Sequence, residues 1–183
     1  MLKVHIHEDD LYMRNLYPSA ALDEAKQDIA NAVDAGIKNR APDGWGWTDI
    51  YLTQPPAITY ASLGVQMADM AAVISPILPR IPNFEVGFGW QPPDRPKETN
   101  AYCYGFGRQL FLKLDADGPL VANLWFDART NQDAELTKLK EALLAINGLI
   151  PSIIVDYWLN ATGEIDDKKF FQRYLDDIAD NDD

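Results

Sequence analysis

Few folds can absorb the stretch from Gln109 to Asp127, which reads QLFLKLDADGPLVANLWFD. Leu110, Leu112 and Leu114 fall on one side of an extended chain, with Gln109 and Lys113 opposite. Leu120, Ala122, Leu124 and Phe126 then repeat the pattern, with Asn123 and Asp127 on the other side. A period of two marks a strand with one buried face. Between the arms, Asp115-Ala116-Asp117-Gly118 offers short polar side chains and a glycine suited to a tight reversal. The stretch is a hairpin, and the remaining apolar segments must extend or cover it.

Those segments alternate in type. Leu2, Val4 and Ile6 predict a first strand whose polar face carries Lys3, His5 and His7. Ser19 stands as a cap for a helix that runs to about Asn39, with Leu22, Ala25, Ile29, Val33 and Ile37 at helical spacing. Pro42, Gly44 and Gly46 mark a loop, TDIYLT at 48–53 a short strand, and Tyr60–Leu78 a buried helix ended by Pro76. Phe84, Val86, Phe88 and Trp90 alternate as a strand, and Gln91–Asn100 is a proline-rich connection. Tyr102, Tyr104 and Phe106 then lead into the hairpin past Gly105 and Gly107, which mark a bulge. Thr130 or Asn131 caps a helix that carries Leu136, Leu139, Leu143 and Ile146 and stops at Gly148. Ser152–Leu159 is a strand. Asp166 then caps a last helix with Phe170, Phe171, Tyr174, Leu175 and Ile178 along its buried stripe, and the acidic tail beyond it frays. This order predicts one α+β domain over residues 1–183, with a largely antiparallel mixed sheet and helices mainly on one face.

Charge narrows the function. The net charge is −12, and Asp156–Asp183 supplies half of it with nine acidic and three basic residues. Such a surface repels phosphate backbones, which argues against direct nucleic-acid binding, and speeds encounter with basic partners. It also serves plain solubility. No apolar run is long enough for a membrane span, and MLKVHIHEDD lacks the apolar core of a signal peptide. A lone Cys103 cannot form an internal disulfide, which together with the missing signal peptide predicts a cytoplasmic location.

Motifs for chemistry are sparse. His5 and His7, two apart on a strand, could share a metal ion with Glu8, Asp9 or Asp10, as in a small metal-dependent hydrolase. They are the only two histidines, and no acidic signature completes the ligand set, so the expectation is no metal and no cofactor. Cys103 lies between two tyrosines in a strand and reads as core. No serine sits in a GxSxG turn, and no glycine pair matches a phosphate loop. The reading is a binding protein with no reaction of its own. Asp43-Gly44-Trp45-Gly46-Trp47 sets two tryptophans in a loop, where they either anchor a partner or fold back onto the core.

The C-terminal segment adds a likeness. Asp156-Tyr157-Trp158 closes an apolar strand and is followed by Gly163-Glu164-Ile165-Asp166-Asp167, then Phe170 or Phe171, Tyr174 and Leu175. This resembles the closing segment of small acidic bacterial immunity proteins, which neutralise a toxin made by the same or a neighbouring cell. The resemblance implies a tight protein partner and no catalysis. Together these readings name Trp45, Trp47, Glu164, Asp166, Asp167, Asp176 and Asp177 as partner-binding residues, facing a cognate toxin with a basic active-site surface. An acidic accessory protein or nucleic-acid mimic is the alternative of the same charge type.

Overall fold

The structure, a computed structural model, describes residues 3–7, 11–87 and 100–180; the side chains of 3, 5, 7 and 85–87 lie outside the description. The hairpin forms from β5 (Leu110–Asp117) and β6 (Leu120–Ala128). It turns later than its polar residues suggest. Asp117 pairs with Leu120, so the reversal is Gly118-Pro119, and a register shift between Asp115 and Ala116 absorbs the polar residues within the ladder. β4 (Ala101–Gly107) pairs with β5, and its register shifts between Gly105 and Gly107.

The other side of the hairpin is extended by three further strands: β2 (Arg14–Pro18), β7 (Ser152–Asp156) and β8 (Ala161–Glu164). The order β4-β5-β6-β2-β7-β8 is antiparallel throughout. A separate parallel pair joins β1 (Lys3–His7) to β3 (Asn83–Gly87). Among the described residues four α-helices complete the fold: α1 (Leu22–Lys38), α2 (Met67–Ile74), α3 (Asp133–Leu149) and α4 (Lys168–Asp180).

Alternation along the strands sorts these parts into layers. Leu112, Leu114, Leu124, Phe126 and Ile154 share a core with Met70, Leu139, Leu143, Phe171 and Tyr174, so α2, α3 and α4 cover one face. The intervening Phe111, Trp125 and Cys103 meet Val4 and Ile6 on the opposite face, which the β1–β3 pair covers there. Farther along that face, Ile153 and Val155 pack on Ala25 and Ile29 of α1. The chain is one α+β domain with three of its helices on one face.

Several sequence readings change. β2, which lies between β6 and β7, has no apolar alternation because Arg14 and Asn15 are themselves buried. Lys113, read as facing water, is 2% exposed, because the second face of the hairpin is covered as well. Residues 48–53 form no strand, and the predicted helix over Tyr60–Leu78 is helical only at Met67–Ile74. The strand predicted over Ser152–Leu159 ends at Asp156, and a further strand, β8, starts at Ala161. Ser19 opens a 3-10 turn and caps nothing; its N–H donates to the Pro151 carbonyl at 2.8 Å. α3 starts after Gln132 and runs through Gly148 to Leu149. Phe88–Thr99, Glu8–Asp10 and the tail at 181–183 lie outside the described residues.

Candidate partner-binding surface

The burial of α1 fades toward its C-terminal end. Ala25 and Ile29 are buried, Val33 is half-buried, and Ile37 is 73% exposed, so the apolar stripe continues past the core into solvent. The chain then folds back on the end of the helix. Thr48 N–H donates to the Asn39 carbonyl at 2.7 Å, Ala41 N–H to Gly46 at 3.0 Å, and Gly44 N–H to Ala41 at 2.9 Å. Gly44 and Gly46 take φ +79° and +80°, a region that side chains disfavour, so the turn needs glycine at both positions.

This miniature hairpin holds the two tryptophans outward, and neither folds onto the core. Trp45 is 86% and Trp47 64% exposed. Trp47 is nonetheless fixed, since its indole N–H donates to the Gly36 carbonyl at 3.0 Å. Trp45 N–H donates to Asp43 Oδ1 at 2.9 Å. Ile50 and Leu52 follow, 81% and 73% exposed. With Ile37 they make a run of five large apolar side chains in open water within sixteen residues. Exposed apolar residues this close in the chain make this loop the candidate interaction site.

The descending arm of the loop is tied to α1 through Asp28, which is buried. Asp28 Oδ1 accepts from the Tyr51 hydroxyl at 2.6 Å and from Gln54 N–H at 3.2 Å. Its Oδ2 accepts from the Tyr157 hydroxyl at 2.5 Å, just before the half-exposed Trp158. Glu24 Oε2 takes Ala57 N–H at 2.8 Å, and Ile58 packs beside α1 and β7. The phenols around Asp28 are held in their protonated form. Donation to Asp28 raises the Tyr51 pKa, burial followed by the same donation raises Tyr157, and burial pushes Tyr17 to about 12.

The acidic residues named from the sequence lie elsewhere. Glu164 ends β8, Asp166 and Asp167 follow it, and Asp176 and Asp177 sit on α4; all five are exposed. Asp167, and not Asp166, caps α4: its Oδ1 accepts from the N–H groups of Lys169 at 2.9 Å and Phe170 at 3.2 Å. Asp166 instead accepts from the Asn147 amide at 2.7 Å. Lys168, Lys169 and Arg173 interrupt the negative face of α4. Since α1 and α4 cover opposite faces of the sheet, the tryptophan loop and the α4 aspartates belong to different layers.

Two buried charge clusters escape a sequence reading altogether. Arg14 donates to Asp156 at 2.9 Å, to Asp127 at 2.7 Å and to the Ala128 carbonyl at 3.1 Å. Lys113 pairs with Asp115, which also accepts from the Trp125 indole at 3.1 Å, and its ammonium lies 5.5 Å from the Trp125 ring centroid. Both clusters bind the fold's own strands to one another. Cys103 is fully buried, as a core residue would be. Among the described residues no three His, Cys, Asp or Glu side chains could hold a metal ion; the side chains of His5 and His7 lie outside them. No described helix is long and apolar enough to cross a membrane. Comparison of the chain with protein-family models, curated proteins and solved structures finds no match.

Proposed function

We propose that this chain is an immunity-type protein that binds a cognate bacterial toxin domain and occludes its active site. One observation carries the reading: Trp45 and Trp47 stand in solvent on a hydrogen-bonded turn. Leaving two indoles in water wastes burial on the order of 2 kcal/mol apiece, unless a partner removes them from water. A preformed turn also spares the partner the entropy of ordering a loop, which favours tight binding. The net charge of −12 fits a basic partner surface, with Glu164, Asp166, Asp167, Asp176 and Asp177 steering its approach.

The test is co-production with a toxin-like domain encoded beside this chain, scored by growth protection and co-purification. Wild-type protein protects and co-purifies. A Trp45→Ala/Trp47→Ala variant melts at the wild-type temperature and binds about 100-fold or more weakly, the loss of two central anchors. Wild-type protein that neither protects nor binds would overturn the proposal. Undiminished protection by the double variant would move the contact surface off this loop.

A further inference from the structure

We infer that Asp28, itself buried, is the positioning residue of the tryptophan ledge; this rests on the binding reading above. Beyond the single bridge between Arg40 and Trp47, the loop from Arg40 to Ala57 has no helix or strand, and it buries little: Trp45, Trp47, Ile50 and Leu52 are all exposed. Its turn hangs on the end of α1 through the Thr48 N–H to the Asn39 carbonyl and the Trp47 indole N–H to the Gly36 carbonyl. Among the described residues its descending arm pairs with no strand; Tyr51 and Gln54 reach the body of the protein at Asp28, and Ala57 reaches it at Glu24.

Asp28 is suited to this task. Both carboxylate oxygens are in use, one toward the loop and one toward Tyr157. A single buried anion therefore joins α1, the loop and the segment after β7. Hydrogen bonds to a charged acceptor are the stronger kind, and three donors on one carboxylate act as a unit. Ile50 and Leu52 flank Tyr51 in the chain, so the clasp on Tyr51 fixes where both of them stand. Without it, the descending arm would sample many conformations, and a partner would have to order it on binding.

Hydrogen exchange and binding, both on the full chain, test this with Tyr51→Phe and Asp28→Asn. Amides between Trp45 and Ala57 exchange roughly tenfold faster in Tyr51→Phe, which removes one hydrogen bond to a charged group. In Asp28→Asn they exchange faster still, while those of β5 and β6 keep wild-type rates. Affinity for the toxin domain falls by a similar factor in each, although neither change removes a ledge side chain. Loop exchange unchanged in both variants would overturn the inference. So would a loosened loop with undiminished affinity. A loosened loop in a protein that binds no toxin domain even as wild type would sink the immunity reading and leave the clasp standing.

Discussion

Arg14 ties three strands together from the middle of the sheet. From β2 it reaches Asp127 on β6 and Asp156 on β7, and Asp156 also accepts from the Tyr174 hydroxyl at 2.8 Å and from Leu159 N–H at 2.9 Å. Arg129 reaches the second oxygen of Asp127 at 2.9 Å. Removing the guanidinium leaves Asp156 buried with neutral donors only, so Arg14→Met should cost about 3–5 kcal/mol in denaturant melts. Tyr174→Phe removes one donor and leaves the cation in place; it should cost about 1–2 kcal/mol. Equal losses in the two variants would mean that the ion pair contributes no more than the phenol. Gly105 is the second sensitive position. Its φ is +143°, and a Cβ there would lie 2.3 Å from the Leu110 carbonyl oxygen, a backbone atom that cannot swing aside. Gly105→Ala should therefore destabilise by roughly 3 kcal/mol or more, read as a fall in midpoint or as insoluble protein. An alanine variant that melts normally would show that the bulge relaxes freely.

At the scale of elements, the buried stripe of α4 was legible because its five buried residues repeat at helical spacing, and the arms of the hairpin because their apolar residues alternate. The cap of α4 was misread by one residue, and this has a measurable consequence. Asp167→Ala removes the acceptor for two backbone N–H groups and should cost about 1 kcal/mol. Asp166→Ala loses only an exposed bond to Asn147 and should stay within about 0.5 kcal/mol of wild type. Thermal melts that rank the two the other way would contradict the geometry. β2 was hidden for a different reason. Pattern reading assumes that buried positions are apolar, and Arg14 and Asn15 are buried with polar partners. Residues 48–53 misled in the opposite sense: Thr48, Ile50, Tyr51 and Thr53 have strand propensity, but no described strand pairs with them. The candidate surface was legible only in part. The glycines of DGWGW announced a loop, whereas nothing in the sequence shows that Asp28, one residue before the buried Ile29, turns inward to hold it.

For the whole molecule, charge and burial set separate pH and salt responses. With a net charge of −12, association with a basic partner should slow as salt rises, because exposed charges are screened beyond about 8 Å at physiological ionic strength. A rate constant flat from low to high salt would remove the steering argument while leaving the apolar anchors intact. Folding stability should respond instead to alkali. Burial holds Tyr17 at about 12, against an ordinary value of 10.0, and raises Tyr60, Tyr157 and Tyr174 as well. In the unfolded chain these phenols ionise near 10, whereas in the folded protein they keep their protons, so above that pH the unfolded state binds fewer. Their contribution is complete below pH 10 and is lost as pH climbs toward and through the folded values. Each retained proton steepens the fall by about 1.4 kcal/mol per pH unit. Asp28, beside Tyr51 and Tyr157, adds repulsion against any phenolate formed while the protein is folded. Unfolding free energy measured from pH 9 to 12 should therefore drop steeply above 10, with part of the phenolate absorbance appearing only as the near-ultraviolet dichroism collapses. If all eight tyrosines ionise near pH 10 with that dichroism intact, the buried hydroxyls are open to water and the packing around Tyr60 and Tyr174 is looser than the structure describes.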